Sequence, residues 1–507
     1  MRLDRVGNTK RNIIIGEADK IVGIFLPFLV RTMMIHLLGA EYLGLTGLFY
    51  SIMQMLNLME MGFGTAIIYS MYKPIADNDT RTMNALLKYY AKVYRIVGIM
   101  IGIVGLLVMC LLPYLVKDDI PGDVNIYVVY GIFLLNSCLN CFLLPNRRAL
   151  LTGFQRDDVL AKMHILAQIF LYGGQILSIW LARDFYLYVI TIPVFTVLYA
   201  LLCGYESKKM FGEYREEGEL PTDIQSELKK QVAGLILRKV ATYSRNTFDS
   251  MFISAFLGLE LVAIYGNYYY IMDAIVMLLA VVKTSMAGGV GNSIAMDSCE
   301  KNYNDMRRIN FLFMIISGWC TTCLLCLYQP FMKLWVGKDM LMPMYMAVVF
   351  AVYFYVLKMS DIRALYSESV GIWWQGRYLS IMEALANLIL NALFVIWMGV
   401  FGIVLATLVS YFIFNFIGGA VILYQYYFKD FQLRGYFLSH VRYGMVTALV
   451  AGVTYGITTL VSFDGILELV VKAIICIVIP GILYYLCYFK TYDYKDSVFL
   501  VKDMIRK

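Results

Sequence analysis

The residues in this sequence best suited to chemistry are polar and charged side chains set inside long apolar stretches. Arg238, Thr242, Arg245 and Asp249 fall on one face of a helix, with Lys239 and Asn246 beside them. Glu383, Asn387 and Asn391 follow one another at i, i+4 spacing, and Lys358 and Asp361 stand one helical turn apart. Glu17, Lys20 and Arg31 lie within about 60° of one another on a further helical stretch. His164, Gln168 and Gln175 share a face of another. An ionisable group inside a membrane span is costly and usually faces a cavity or a partner.

The cations lean the chemistry toward anions. A guanidinium is permanently charged, and its fork matches phosphate oxygens. Arg245, Arg31, Arg238, Lys239 and Lys358 are therefore candidates for a cationic, anion-binding cavity. Arg245 has a second reading, an i, i+4 pair with Asp249 that only holds helices together. Arg238 and Lys239 have the alternative of snorkelling to the membrane surface. Asp249, Glu17, Asp361 and Glu383 are candidates for carrying a coupling Na⁺ or H⁺, with Glu17 open also to simple pairing with Lys20.

Enzyme signatures are absent from the sequence. There are three histidines, His36, His164 and His440, and no HExxH, GxSxG or phosphate-binding glycine loop. The chain is expected to be neither an enzyme nor an ATP-driven pump, and to need no cofactor beyond the coupling ion. Cys320, Cys323 and Cys326 sit in one apolar run without histidine partners, as buried thiols do. No metal site is expected.

The elements that carry these residues follow from composition. Of 507 residues, 60% are hydrophobic and 16% charged, against about 45–50% and about 25% in soluble proteins. The mean hydropathy is +0.68. Spans of roughly 20 residues are therefore expected, about fifteen at most. Apolar runs separated by polar links give fourteen helices, near 13–38, 42–71, 89–113, 124–145, 159–181, 184–205, 232–257, 260–283, 308–328, 343–366, 379–399, 402–424, 441–462 and 466–489. The expected class is an all-α polytopic membrane protein.

Orientation follows from charge. With the N-terminus in the cytoplasm, the inner segments hold 25 of the 43 Lys and Arg. The outer loops hold four, Lys117, Arg183, Lys333 and Lys338. This bias places both termini in the cytoplasm. The net charge of +7 is thus a matter of topology, and no basic tract of the nucleic-acid kind occurs.

An internal repeat divides the chain. Residues 38–53 (LGAEYLGLTGLFYSIM) match residues 257–272 (LGLELVAIYGNYYYIM) at seven of sixteen positions, with a constant offset of 219. Six helices intervene, so the repeat is parallel. The expected organisation is a six-helix lobe over 1–205, a charged connector over 206–231, a second six-helix lobe over 232–428, and two appended helices with a tail over 429–507. Polar faces belong to the repeated lobes, as an alternating-access transporter with a central cavity requires.

Several runs resemble a known family. The stretch LGAEYLGLTGLFYSIMQMLNLMEMGFGTAIIYSMYKPIADND is similar to the opening of polysaccharide-biosynthesis flippases. GNYYYIMDAIV, GGVGN, PFMKLWVG and ESVGIWWQGRY follow in matching order. These flippases belong to the multidrug, oligosaccharidyl-lipid and polysaccharide exporter superfamily. The resemblance implies two six-helix lobes plus two helices in a bacterial cytoplasmic membrane. It implies passage of an undecaprenyl-pyrophosphate-linked oligosaccharide from the inner to the outer leaflet, among membrane lipids and beside a polymerase and glycosyltransferases. A multidrug cation antiporter of the same fold and a non-transporting scaffold of a polysaccharide-synthesis complex remain as alternatives.

Overall fold

The computed structural model describes residues 5–117, 120–143, 145–222, 224–226, 228, 247–372, 375–461 and 463–497. Its regular elements, among the described residues, are all helical. The first half holds α1 (Arg5–Leu37), α2 (Ala40–Leu56), α3 (Met61–Ala76), α4 (Thr80–Met109), α5 (Leu112–Leu115), α6 (Ile126–Phe142), α7 (Pro145–Gly153), α8 (Asp157–Leu177), α9 (Phe185–Met210) and α10 (Thr247–Leu257). The second half holds α11 (Leu259–Met296), α12 (Cys299–Trp335), α13 (Met344–Met359), α14 (Asp361–Val370), α15 (Arg377–Ser410), α16 (Gly419–Tyr426), α17 (Leu433–Thr459) and α18 (Ile466–Tyr488). Nine stretches among the described residues are long and apolar enough to cross a membrane, ten if the bent pair α6–α7 is one span. The chain is a multi-pass membrane protein.

Polar residues in the links start the spans. Asp79 caps α4, accepting from the Thr82 amide at 3.0 Å and its hydroxyl at 2.5 Å. Those bonds hold the Asp79 carboxyl below the usual carboxylate range. Asn125 caps α6 and Asp184 caps α9 in the same way.

Several expected spans are interrupted rather than straight. The span expected at 42–71 is α2, a 3-10 turn (Asn57–Met59) and α3. The span at 343–366 is α13 and α14, parted at Ser360. The spans at 379–399 and 402–424 lie in one helical run that bends at Gly399 (φ 57°, ψ −139°), a conformation a side chain would strain. Asn387 bonds Thr407 across that bend at 2.9 Å, so the halves of α15 form a hairpin. A π-helical segment, Tyr411–Gly418, then leads into α16. The expected span at 232–257 is represented by α10, since residues 229–246 lie outside those described.

The chain packs as two units, Met1–Ala263 and Ile264–Lys507. In the first, α10 and the start of α11 pack with the N-terminal helices. The Lys117 amide bonds Ser254 O at 3.2 Å, and Lys117 Nζ bonds Phe256 O at 2.9 Å. Gly44 of α2 meets the backbone of Leu259 so closely that a Cβ there would collide with it. Small residues permit such approaches between membrane helices. Gly44→Ala is therefore expected to cost about 1–3 kcal/mol through overpacking, read as a lowered melting temperature of the detergent-purified protein. In the second unit α17 and α18 are tied to α12. Trp319 Nε1 donates to Cys476 O at 2.7 Å, and Asn310 meets His440 at 3.2 Å.

Candidate functional site

The second unit carries two buried polar clusters. In the first, Lys358 ends α13 and donates to Asp361 Oδ2 at 2.8 Å, at the start of α14. Lys283 of α11 approaches the other oxygen, Oδ1, at 3.8 Å. Asp273, also on α11, lies within electrostatic reach of Lys358. Both lysines thus converge on the Asp361 carboxylate. The Lys358 side chain is 3% exposed, so it presents no open face to a ligand in this conformation.

The second cluster is built on α15. Glu383, Asn387 and Asn391 are all buried, on the one face their spacing predicts. Asn391 Nδ2 donates to Asn387 Oδ1 at 3.3 Å, and Asn387 Nδ2 donates to Thr407 Oγ1 at 2.9 Å. Asn415 Nδ2 donates to Glu383 Oε2 at 3.4 Å, and Arg363 Nη2 donates to Asn415 Oδ1 at 2.6 Å. The result is a carboxylate with amide and hydroxyl oxygens in a buried place, the donor types that suit a small hard cation.

The first unit has its own polar network. On α1, Glu17 pairs with Lys20 at 2.8 Å, both well exposed. Asp19 meets His164 Nδ1 at 2.8 Å, and Gln168 meets the same nitrogen at 2.9 Å. His164 in turn sits edge-on to Tyr199, 5.3 Å between centroids. Arg148 of α7 donates to Asn140 Oδ1 at 3.0 Å and Asn140 O at 2.8 Å. Arg31 stands near the end of α1, within electrostatic reach of Tyr188. Asp249 is buried in α10.

The structure thus brings Lys358 and Asp361 into one ion pair and Glu17 into another, and places Glu383 in the α15 cluster. Arg238, Lys239 and Arg245 lie outside the described residues. Asp19, Arg148, Lys283, Asp273 and Arg363 escaped sequence reasoning. The signal for each was its ionisable type within or beside an apolar run, and what hid it was the unknown partner. Cys323 Sγ lies 3.8 Å from Cys476 O, and among the described residues no group of three or more His, Cys, Asp or Glu is placed to hold a metal ion.

A family model described as polysaccharide biosynthesis protein matches residues 10–287. No curated protein matches the chain. Among solved structures, a lipid II flippase MurJ in an inward closed conformation is similar with a TM-score of 0.66 and 14% identity, over 94% of this chain and 98% of that one. An inward-facing multidrug resistance MATE family transporter is similar with a TM-score of 0.63 and 13% identity, over 79% of this chain and 94% of that one. A transporter of the same superfamily from Pyrococcus furiosus has a TM-score of 0.53 and 13% identity, over 82% of this chain and 96% of that one. At these identities the likeness is one of fold.

Proposed function

The chain belongs to the polysaccharide biosynthesis protein family, and from that premise we propose that it moves an undecaprenyl-pyrophosphate-linked oligosaccharide from the inner to the outer leaflet of the bacterial cytoplasmic membrane by alternating access. The observation that carries this reading is the fold it shares with a lipid II flippase along nearly its whole length, in a chain whose family is polysaccharide biosynthesis. The cargo is a lipid with a doubly charged head group. Arg245 and Arg31, with Arg238 and Lys239 toward the surface, are the side chains proposed to meet its phosphates. Both termini lie in the cytoplasm, and a polymerase and glycosyltransferases are the proposed neighbours.

Transport is coupled to Na⁺ or H⁺ in this reading. Glu17, Asp249, Asp361 and Glu383 are the candidate carriers; Glu17 and Asp361 each pair with lysine at 2.8 Å, and Glu383 lies buried among amides of the α15 cluster. Glu383→Gln keeps the shape and removes the charge. It is expected to abolish the dependence of transport on an imposed Na⁺ or H⁺ gradient. A variant as gradient-dependent as the parent would remove Glu383 from the coupling.

The test of the whole reading is reconstitution. Purified protein in proteoliposomes is expected to move a fluorescent undecaprenyl-pyrophosphate-linked oligosaccharide to the opposite leaflet, where an added glycosidase reaches it. Vesicles that leave the label in place while extruding cationic dyes would favour the multidrug antiporter. Vesicles that move neither would favour the scaffold.

A further inference from the structure

The internal repeat extends to a residue neither half was expected to need. Arg148-Ala149-Leu150 recurs as Arg363-Ala364-Leu365, an offset of 215. The earlier repeat runs at 219, and the difference is about one helical turn. Each triplet lies in the short helix that follows an interrupted span. In the first unit α7 follows α6 at a bend of 52°. In the second α14 follows α13 at Ser360.

Each guanidinium reaches the corresponding place on the last long helix of its repeat. Arg148 lies over the Tyr199 ring of α9, 5.9 Å from its centroid, and within electrostatic reach of Cys203. Arg363 donates to Asn415 at 2.6 Å and packs on Gly419 so tightly that a Cβ at 419 would collide with it. Tyr199 and Asn415 are 216 apart, and so are Cys203 and Gly419. The contacts differ, a ring at 5.9 Å in one and a hydrogen bond at 2.6 Å in the other, while the sequence offset repeats.

The charges are held by dipoles. Arg148 rests on the side chain and carbonyl of Asn140, close to the negative C-terminal end of α6. Arg363 rests on an amide oxygen with 7% of its surface exposed. Neither forms an ion pair among the described residues. Arg363 is buried and Arg148 half-buried, and placing a permanently charged guanidinium within a membrane unit is costly. It stays only where fixed dipoles surround it, so removing it frees the elements it joins.

We propose that Arg148 and Arg363 are repeat-related positioning residues. Each fastens the short helix after an interrupted span to the last long helix of its own repeat, so that the two move as one piece during transport. This rests on the transport reading above.

The test uses the purified full-length chain, comparing Arg148→Gln and Arg363→Gln with the parent, by hydrogen exchange and by transport of the fluorescent lipid-linked oligosaccharide. Loss of a hydrogen bond to a charged group is expected to speed exchange about tenfold or more in 139–153 for the first variant, and in 361–370 and 411–419 for the second, with the rest of each unit unchanged. Transport at saturating cargo is expected to fall roughly twofold to thirtyfold at equal folded protein, with the half-saturating cargo concentration unchanged. Gly419→Ala, which displaces the Arg363 guanidinium without removing it, is expected to reproduce the Arg363→Gln pattern. Should Arg363→Gln not fold, Gly419→Ala and Arg363→Lys carry the test. Unchanged local exchange overturns the proposal, as does faster exchange with undiminished transport. If the parent protein moves no cargo, the transport reading fails, and the fastening is judged by exchange alone.

Discussion

Asp361→Asn is expected to destabilise the protein by about 3–5 kcal/mol, the cost of stranding a buried charge. The substitution leaves Lys358, at 2.8 Å, and Lys283, at 3.8 Å, facing an uncharged amide. With its side chain 3% exposed, Lys358 has no route to solvent without moving α13. The measurement is the melting temperature and the folded fraction in detergent. The double variant Lys358→Met/Asp361→Leu is expected to recover part of the loss, because an apolar pair of similar volume replaces the buried Lys358–Asp361 pair at little net cost while Lys283 still lacks its carboxylate. Transport is expected to recover with it, since the pair is closed to cargo in this conformation. A single variant that melts with the parent would show that water or another group already compensates Lys358. A double variant that folds and does not transport would return Lys358 to the cargo path.

Arg245→Glu is expected to block export and to make the lipid-linked precursor accumulate in the inner leaflet. Losing one charge-assisted bond to a phosphate costs about 1.5–3 kcal/mol, roughly tenfold to a hundredfold in affinity. Placing a carboxylate there adds repulsion between like charges. The readouts are polymer on the cell surface and precursor in the membrane, at matched expression. Arg245→Lys keeps the charge and loses the fork, so it is expected to fall between the two. Normal export from a normally expressed Arg245→Glu protein would favour the other reading, a pair with Asp249 that serves only to hold helices together.

Period and polarity made much of this legible before any coordinates. The i, i+4 spacing of Glu383, Asn387 and Asn391 put them on one face, and all three are buried there. The apolar runs fell where long helices form, because a helix must satisfy its own backbone in lipid. Breaks within those runs were harder to see. Ser360 parts the apolar α13 from the more polar α14, and the 3-10 turn Asn57–Met59 interrupts a stretch that stays apolar on both sides. The turn keeps its backbone bonded locally, with the Glu60 amide donating to Asn57 O, so it leaves little trace in hydropathy.

The sequence by itself determined the class, where the long apolar helices fall and which residues are too polar for their surroundings, and it offered the parallel repeat as an expectation. These follow from local quantities, namely the length of an apolar run, the period of a face and the offset of a repeat. Partnership was decided only by the tertiary structure. Lys358 looked like a cation open to ligand and lies in an ion pair with Asp361. Glu17 had two readings and is found with Lys20. Arg148 and Arg363 attracted no notice in the sequence, yet they occupy matching places in the two units. A buried charge takes its meaning from the groups within a few ångströms, and those come from helices far away along the chain.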